Sequence, residues 1–294
     1  MIIRLLLLAT LLLPLFSCEK RGEKKGGKPT VLVSVPPYAF FVKKIAEDTV
    51  TVETLVPLGA NPHVYESTPK EVQRHQSADL WVYLGESFDQ KVRPFFCKVP
   101  IVDVTEGIPL LSFCEEKGLI AENAACHHHD KHTLREGHDL HIWLSPKLAK
   151  IQATKIAGAL ISLLPAEEER FTVNLHLLLN ELDDLDHQIA TLLAPMKQKA
   201  ILVSHPAFGY FCRDYHLTQL SIEVEGKDPL PQQVTHVLKE AMRHAVQRVL
   251  LEPQYSNKGA ELIAQSMNIP SHMVDPYAEN YTENLLLIAK VIAE

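Results

Sequence analysis

Residues 166–194 read AEEERFTVNLHLLLNELDDLDHQIATLLA, and within them Phe171, Leu175, Leu178, Leu182, Leu185, Ile189 and Leu192 succeed one another at alternating spacings of four and three. That spacing lines apolar side chains along one face of a long helix. At about 1.5 Å per residue such a helix extends roughly 43 Å, enough to run along two lobes. Pro165 and Pro195 bracket it, because proline is tolerated in a helix's first turn and ends a helix that reaches it. A coiled coil needs three or four sustained heptads with organised flanking charge, and the stripe is barely that long. The segment 165–195 therefore reads as one linking helix, a stiff connection that leaves little relative motion to the lobes.

On either side of this helix the pattern changes to short β-branched runs. Residues 30–35, 50–56, 80–84 and 101–104 form one set, with helix-compatible stretches at 38–47 and 69–77 between some of them. Residues 200–204, 217–222, 249–252 and 272–274 form the second, with helical stretches at 231–247 and 258–267. Strands alternating with helices imply mainly parallel α/β sheets. The expected architecture is α/β, with an N-terminal lobe over 30–164 and a C-terminal lobe over 196–294.

The first 17 residues hold Arg4 and the apolar run 5–16, too short for a membrane span and suited to a signal peptide. Leu15-Phe16-Ser17-Cys18 resembles a bacterial lipobox, so Cys18 is the expected lipidation site and 18–29, rich in Lys and Gly, a flexible tether from the membrane. The sequence of 294 residues is 46% hydrophobic and 22% charged, a globular composition. A net charge of -7 gives no positive field for nucleic acid. Beyond Cys18, the thiols Cys97, Cys114, Cys126 and Cys212 allow three pairings in an oxidising compartment, or none.

The chain has 15 histidines. Open parallel sheets place ligands beyond the carboxyl ends of their strands, and four residues fit that place or a loop-helix junction. His63 lies in the loop after the run 50–56 and His141 just before a helix start at Pro146, while His205 directly follows 200–204 and Asp275 follows 272–274. A shared site would require tertiary convergence of two groups from each lobe in the interlobe cleft. Three imidazoles and one carboxylate suit zinc. Glu66 reads as a cap for the helix beginning near Pro69.

Three motifs carry a resemblance. Asn61-Pro62-His63-Val64-Tyr65-Glu66, Asp139-Leu140-His141-Ile142-Trp143-Leu144-Ser145-Pro146 and Ser204-His205-Pro206-Ala207-Phe208-Gly209-Tyr210-Phe211 together look like the zinc and manganese solute-binding proteins of bacterial ABC transporters. The resemblance implies that His63, His141 and His205 are metal ligands, with Asp275 in the family's fourth, carboxylate position. It implies zinc capture outside the cytoplasmic membrane by a monomer of the periplasm or extracytoplasmic face, with delivery to a permease driven by a cytoplasmic ATPase. Manganese-type members usually carry Glu where this chain has His205, which favours Zn2+ over Mn2+. The loop 126–138 holds His127, His128, His129, His132 and His138, and resembles the low-affinity metal collectors of the zinc-type members. Manganese or iron binding by the same fold, a surface adhesin and, less readily, a zinc hydrolase are the competing functions. No nucleophile elbow, P-loop or dinucleotide fingerprint supports an enzyme.

Overall fold

In each half of the chain four short strands form one parallel sheet. The first contains β1 (Thr30–Val33), β2 (Thr51–Thr54), β3 (Leu80–Tyr83) and β4 (Ile101–Asp103) in the order β2-β1-β3-β4. The second contains β5 (Ala200–Val203), β6 (Thr218–Ser221), β7 (Val249–Leu251) and β8 (Ser271–Met273) in the order β6-β5-β7-β8, the same arrangement repeated. β3 and β5 are LWVY and AILV, with every residue buried, as expected of central parallel strands covered on both faces. The computed structural model describes residues 27–112, 137–196, 199–223 and 229–294. Cys18, Cys114, Cys126, His127, His128, His129 and His132 lie outside them. No disulfide joins exposed Cys97 to buried Cys212.

The first lobe carries α1 (Pro37–Ala46), α2 (Pro69–His75) and α3 (Ser87–Val92). Thr68, not Glu66, caps α2: its hydroxyl accepts from the Glu71 backbone N–H while the Glu71 carboxylate accepts from Thr68 N–H at 2.7 Å. This reciprocal arrangement satisfies two otherwise orphaned groups, and Glu66 instead faces Lys91 at 3.4 Å on the surface. Next come α4 (Pro146–Leu163) and α5 (Glu168–Leu193), then α6 (Gly209–Tyr215), α7 (Pro231–Arg243), α8 (Lys258–Met267) and α9 (Tyr281–Ala293). The helix expected over 231–247 stops at Arg243 because Ala245 adopts φ 50°. Val246 N–H then donates to Ala241 O and Ala245 N–H to Met242 O, the Schellman closure of a helix end.

Helix α5 runs 26 residues between two short 3-10 turns and buries Phe171, Leu178, Leu182, Leu185, Ile189 and Leu193. Leu175 and Leu192 are half-buried. The last buried place falls to Leu193 because the stripe ends on a spacing of four from Ile189, so the apolar face drifts around the helix. Against α5 pack α1, α4 and α9, elements from both halves of the chain. One continuous core consequently extends from Val31 and Trp81 through Leu182 to Phe208 and Ile288, and a smaller one lies around Leu202, Val249 and Ile263. Hydrogen bonds span the same boundary: Trp143 Nε1 donates to Pro276 O at 2.8 Å and Tyr281 Oη to Trp143 O at 2.6 Å.

Leu182 is fully buried in that shared core, so truncation removes contacts of both lobes together. Leu182→Ala is expected to destabilise the chain by about 2–5 kcal/mol, read as a lower urea midpoint in one cooperative transition. Separate transitions for the two lobes would show that the core is not shared.

Candidate metal centre

The carboxyl ends of the two sheets face one another, and the loops leaving them build the centre. His205 lies two residues beyond the end of β5, one of the two inner strands of the second sheet. His141 immediately precedes a 3-10 turn, Ile142–Leu144, which leads into α4 through the Ser145 cap. His63 sits in the irregular segment between β2 and α2, where its backbone N–H donates to Asn61 Oδ1 at 2.9 Å. This Asx-type turn aims the ring inward.

The three rings converge. One nitrogen from each lies within 4.8 Å of the others, and His63 Nε2 and His205 Nε2 are 3.1 Å apart. The side chains of His141 and His205 are 1% and 6% exposed, whereas that of His63 is 27% exposed and forms the outer wall. Burial disfavours the imidazolium forms, lowering His63 to about 3, His141 to about 4 and His205 well below its ordinary value. All three rings are thus neutral donors near neutral pH, the state that metal binding requires.

Behind each ring stands a carboxylate. Asp139 Oδ1 lies 2.7 Å from His141 Nδ1, Glu223 Oε2 3.0 Å from His205 Nδ1, and Glu86 Oε2 3.9 Å from His63 Nδ1. With Nδ1 of His141 and His205 hydrogen-bonded in this way, Nε2 is the nitrogen these two rings present to the centre, and His63 Nε2 faces that of His205. Glu252 adds a fourth acidic group, accepting the His205 backbone N–H at 2.9 Å. Desolvation raises Glu86 to about 7 and Asp139 to about 8, and raises Glu252 well above the ordinary carboxylate range. Among the described residues no Lys or Arg forms an ion pair with Glu86, Asp139 or Glu252. Asp139 Oδ2 and Glu252 Oε2 are buried without a hydrogen-bond partner. Buried acids around neutral imidazoles make a place whose electrostatics favour a cation.

Gly85 explains how Glu86 reaches this place. Its φ of 92° turns the chain sharply after β3, and its N–H donates to Asp89 Oδ2 at 2.8 Å, pinning the turn.

Asp275 is not part of the converging group, which among the described residues comprises His63, His141 and His205. Its Oδ1 closes a turn, accepting from Tyr277 N–H at 2.8 Å and from Gln254 Nε2 at 2.7 Å. Position after a strand places a residue at the sheet edge but does not fix where its side chain aims. His138 lies apart, in an isolated bridge with Ser112. Glu86, Glu223, Glu252, Tyr255 and Tyr277 went unnoticed in the sequence. The available signal was position: the three glutamates each follow the end of β3, β6 or β7 by one to three residues.

A family model described as zinc-uptake complex component A, periplasmic (ZnuA), matches residues 31–294. The chain is 33% identical to a putative metal-binding protein of Chlamydia muridarum, over 97% of this chain and 99% of that one. It is 29% identical to the high-affinity zinc uptake system protein ZnuA of Yersinia pestis, over 84% and 82% respectively. A crystal structure of ZnuA superposes with a TM-score of 0.79 at 32% identity, covering 91% of this chain and 98% of that one.

Proposed function

Since the chain belongs to the ZnuA family of periplasmic zinc-uptake components, we propose that it captures one Zn2+ between its lobes through His63, His141 and His205. As a member of that family it is an extracytoplasmic solute-binding component of transport and not an enzyme. The observation that carries the ligand assignment is the meeting of one nitrogen from each of three rings on separate loops, each ring backed by a carboxylate. Imidazole nitrogen suits zinc, whereas manganese prefers carboxylate and water oxygens, and zinc also stands above manganese in the general affinity order.

In this reading the loaded protein passes its ion to an ABC permease whose cytoplasmic ATPase drives import. Cys18 holds it at the membrane as a lipidated monomer, and the histidines of 126–138 collect metal weakly beside the tight site. Among the described residues no helix is long and apolar enough to cross a membrane.

Demetallated protein offered equal zinc and manganese should retain close to one equivalent of zinc after gel filtration and displace manganese, as elemental analysis would show. Equal or preferential retention of manganese would overturn the choice of metal.

A further inference from the structure

Asp139 Oδ1 faces two nitrogens of His141, the backbone N at 2.8 Å and Nδ1 at 2.7 Å. An oxygen accepting from both places the ring hydrogen on Nδ1 and leaves the lone pair on Nε2, an assignment made from the hydrogen-bond network. The Tyr277 hydroxyl lies 2.8 Å from that lone pair and donates to it. The same oxygen has a second neighbour, the Tyr255 hydroxyl at 3.2 Å, and either phenol can donate in that contact. Tyr255 lies flat on His205, with ring centroids 4.0 Å apart and planes inclined by 5°. The Tyr255 ring also lies 6.1 Å from that of His63 between centroids, so the two phenols form a wall beside all three imidazoles.

Tetrahedral zinc, with bonds of about 2.0–2.2 Å, holds neighbouring donor atoms roughly 3.3–3.5 Å apart. The separations of 3.1 Å between His63 and His205 and 2.8 Å between His141 and Tyr277 are shorter than that spacing by a few tenths of an ångström, so small outward shifts would bring these groups around one ion. Three imidazoles leave one corner of such a site, and Asp275 lies outside the converging group with its Oδ1 engaged in its own turn.

We propose that the Tyr277 hydroxyl oxygen fills this fourth corner, and that Tyr255 receives its hydrogen when metal is bound. Without metal, Tyr277 donates to His141. With metal, its O–H bond rotates toward Tyr255, freeing the His141 lone pair and turning an oxygen lone pair to the ion. No proton leaves the pair and no heavy atom needs a large shift, so Tyr277 acts as a neutral phenol. This inference rests on the three-histidine zinc reading.

The test titrates demetallated wild-type, Tyr277→Phe, Tyr255→Phe and Asp275→Asn proteins with zinc against a competing chelator, and records visible spectra of their cobalt(II)-loaded forms. Tyr277→Phe should weaken zinc binding by about tenfold or more, in line with the loss of a group supporting a metal site, and should shift the cobalt bands. Tyr255→Phe should weaken it less, in the same direction. Asp275→Asn should keep the wild-type cobalt spectrum. Unchanged melting temperatures of the metal-free variants would separate these effects from misfolding. Zinc affinity and cobalt spectrum unchanged in Tyr277→Phe, or tighter zinc binding, would overturn the assignment, as would a cobalt shift confined to Asp275→Asn. Failure of the wild type itself to take up zinc would overturn the three-histidine reading instead.

Discussion

Replacing His141 by alanine lowers zinc affinity by more than about 100-fold, the upper end of what loss of an outer partner costs a metal site. The ring contributes a neutral donor nitrogen and is fixed by two neighbours in a buried place. Asp139 holds Nδ1, Trp143 packs against the ring at 5.2 Å between centroids, and the side chain is 1% exposed. Water could replace the lost ligand only where it finds room and partners, and His141 stands in the buried part of the centre. Asp139→Asn keeps the imidazole but weakens the acceptor that orients it, so its expected loss is smaller, about 10–100-fold. Chelator competition on refolded, monodisperse variants checks both values. Wild-type affinity in His141→Ala would place the tight site elsewhere.

The second large effect is on pH. An unperturbed imidazole, with a pKa of about 6.5, would begin to compete with metal for protons just below neutrality. Here His63 and His141 titrate only near 3 and 4, so the rings stay neutral through the mildly acidic range. Proton competition comes instead from the acids behind them. Asp139, near 8, and Glu86, near 7, hold protons in the metal-free protein at pH 6.5. A divalent cation beside them favours their ionised forms, so its arrival expels those protons. Zinc affinity therefore falls as pH drops through 8 and then 7, and uptake at pH 6.5 releases about one to two protons per ion. Near pH 9, where Asp139 and Glu86 are already ionised, their share of the release approaches zero. Calorimetry in buffers of different ionisation enthalpy measures this count. Release that first appears only below pH 5 would assign the proton competition to the imidazoles.

The legible parts of the sequence were those with a period or a place in a motif. The stripe from Phe171 to Ile189 announced α5 because helical packing requires that repeat, and the β-branched runs announced both sheets for the same kind of reason. Position beyond strands and at a helix entrance singled out His63, His141 and His205 before any side chain was placed. Asp275 was selected by the same rule, but a short carboxylate two residues before a backbone N–H can close its own turn, and this one does. Nothing local distinguishes such an Asp from one aimed into a cleft. Glu223 and Tyr255 meet His205 only through tertiary packing, across 18 and 50 residues of chain, so no window of sequence could contain the relationship. Asp139 stood in plain view two residues before His141. Its fully buried side chain marks it as a partner rather than part of a solvated loop.

The shared core around α5 has a consequence for how cargo leaves. Swinging the lobes apart like a clamshell would strip Leu182, Phe171 and Ile189 of their neighbours on both sides at once, an expense on the scale of unfolding. Access must come from something lighter. His63 sits deep in the irregular stretch between β2 and α2, whereas His141 abuts a 3-10 turn and His205 lies two residues past β5, and His63 alone keeps a substantial face to solvent. Local opening of such a segment costs far less than global separation. The binding frame can therefore remain rigid while one latch works: His63 would be the last ring to close over an arriving ion and the first to let go. A receiving protein would need to pull on that latch rather than pry the halves apart.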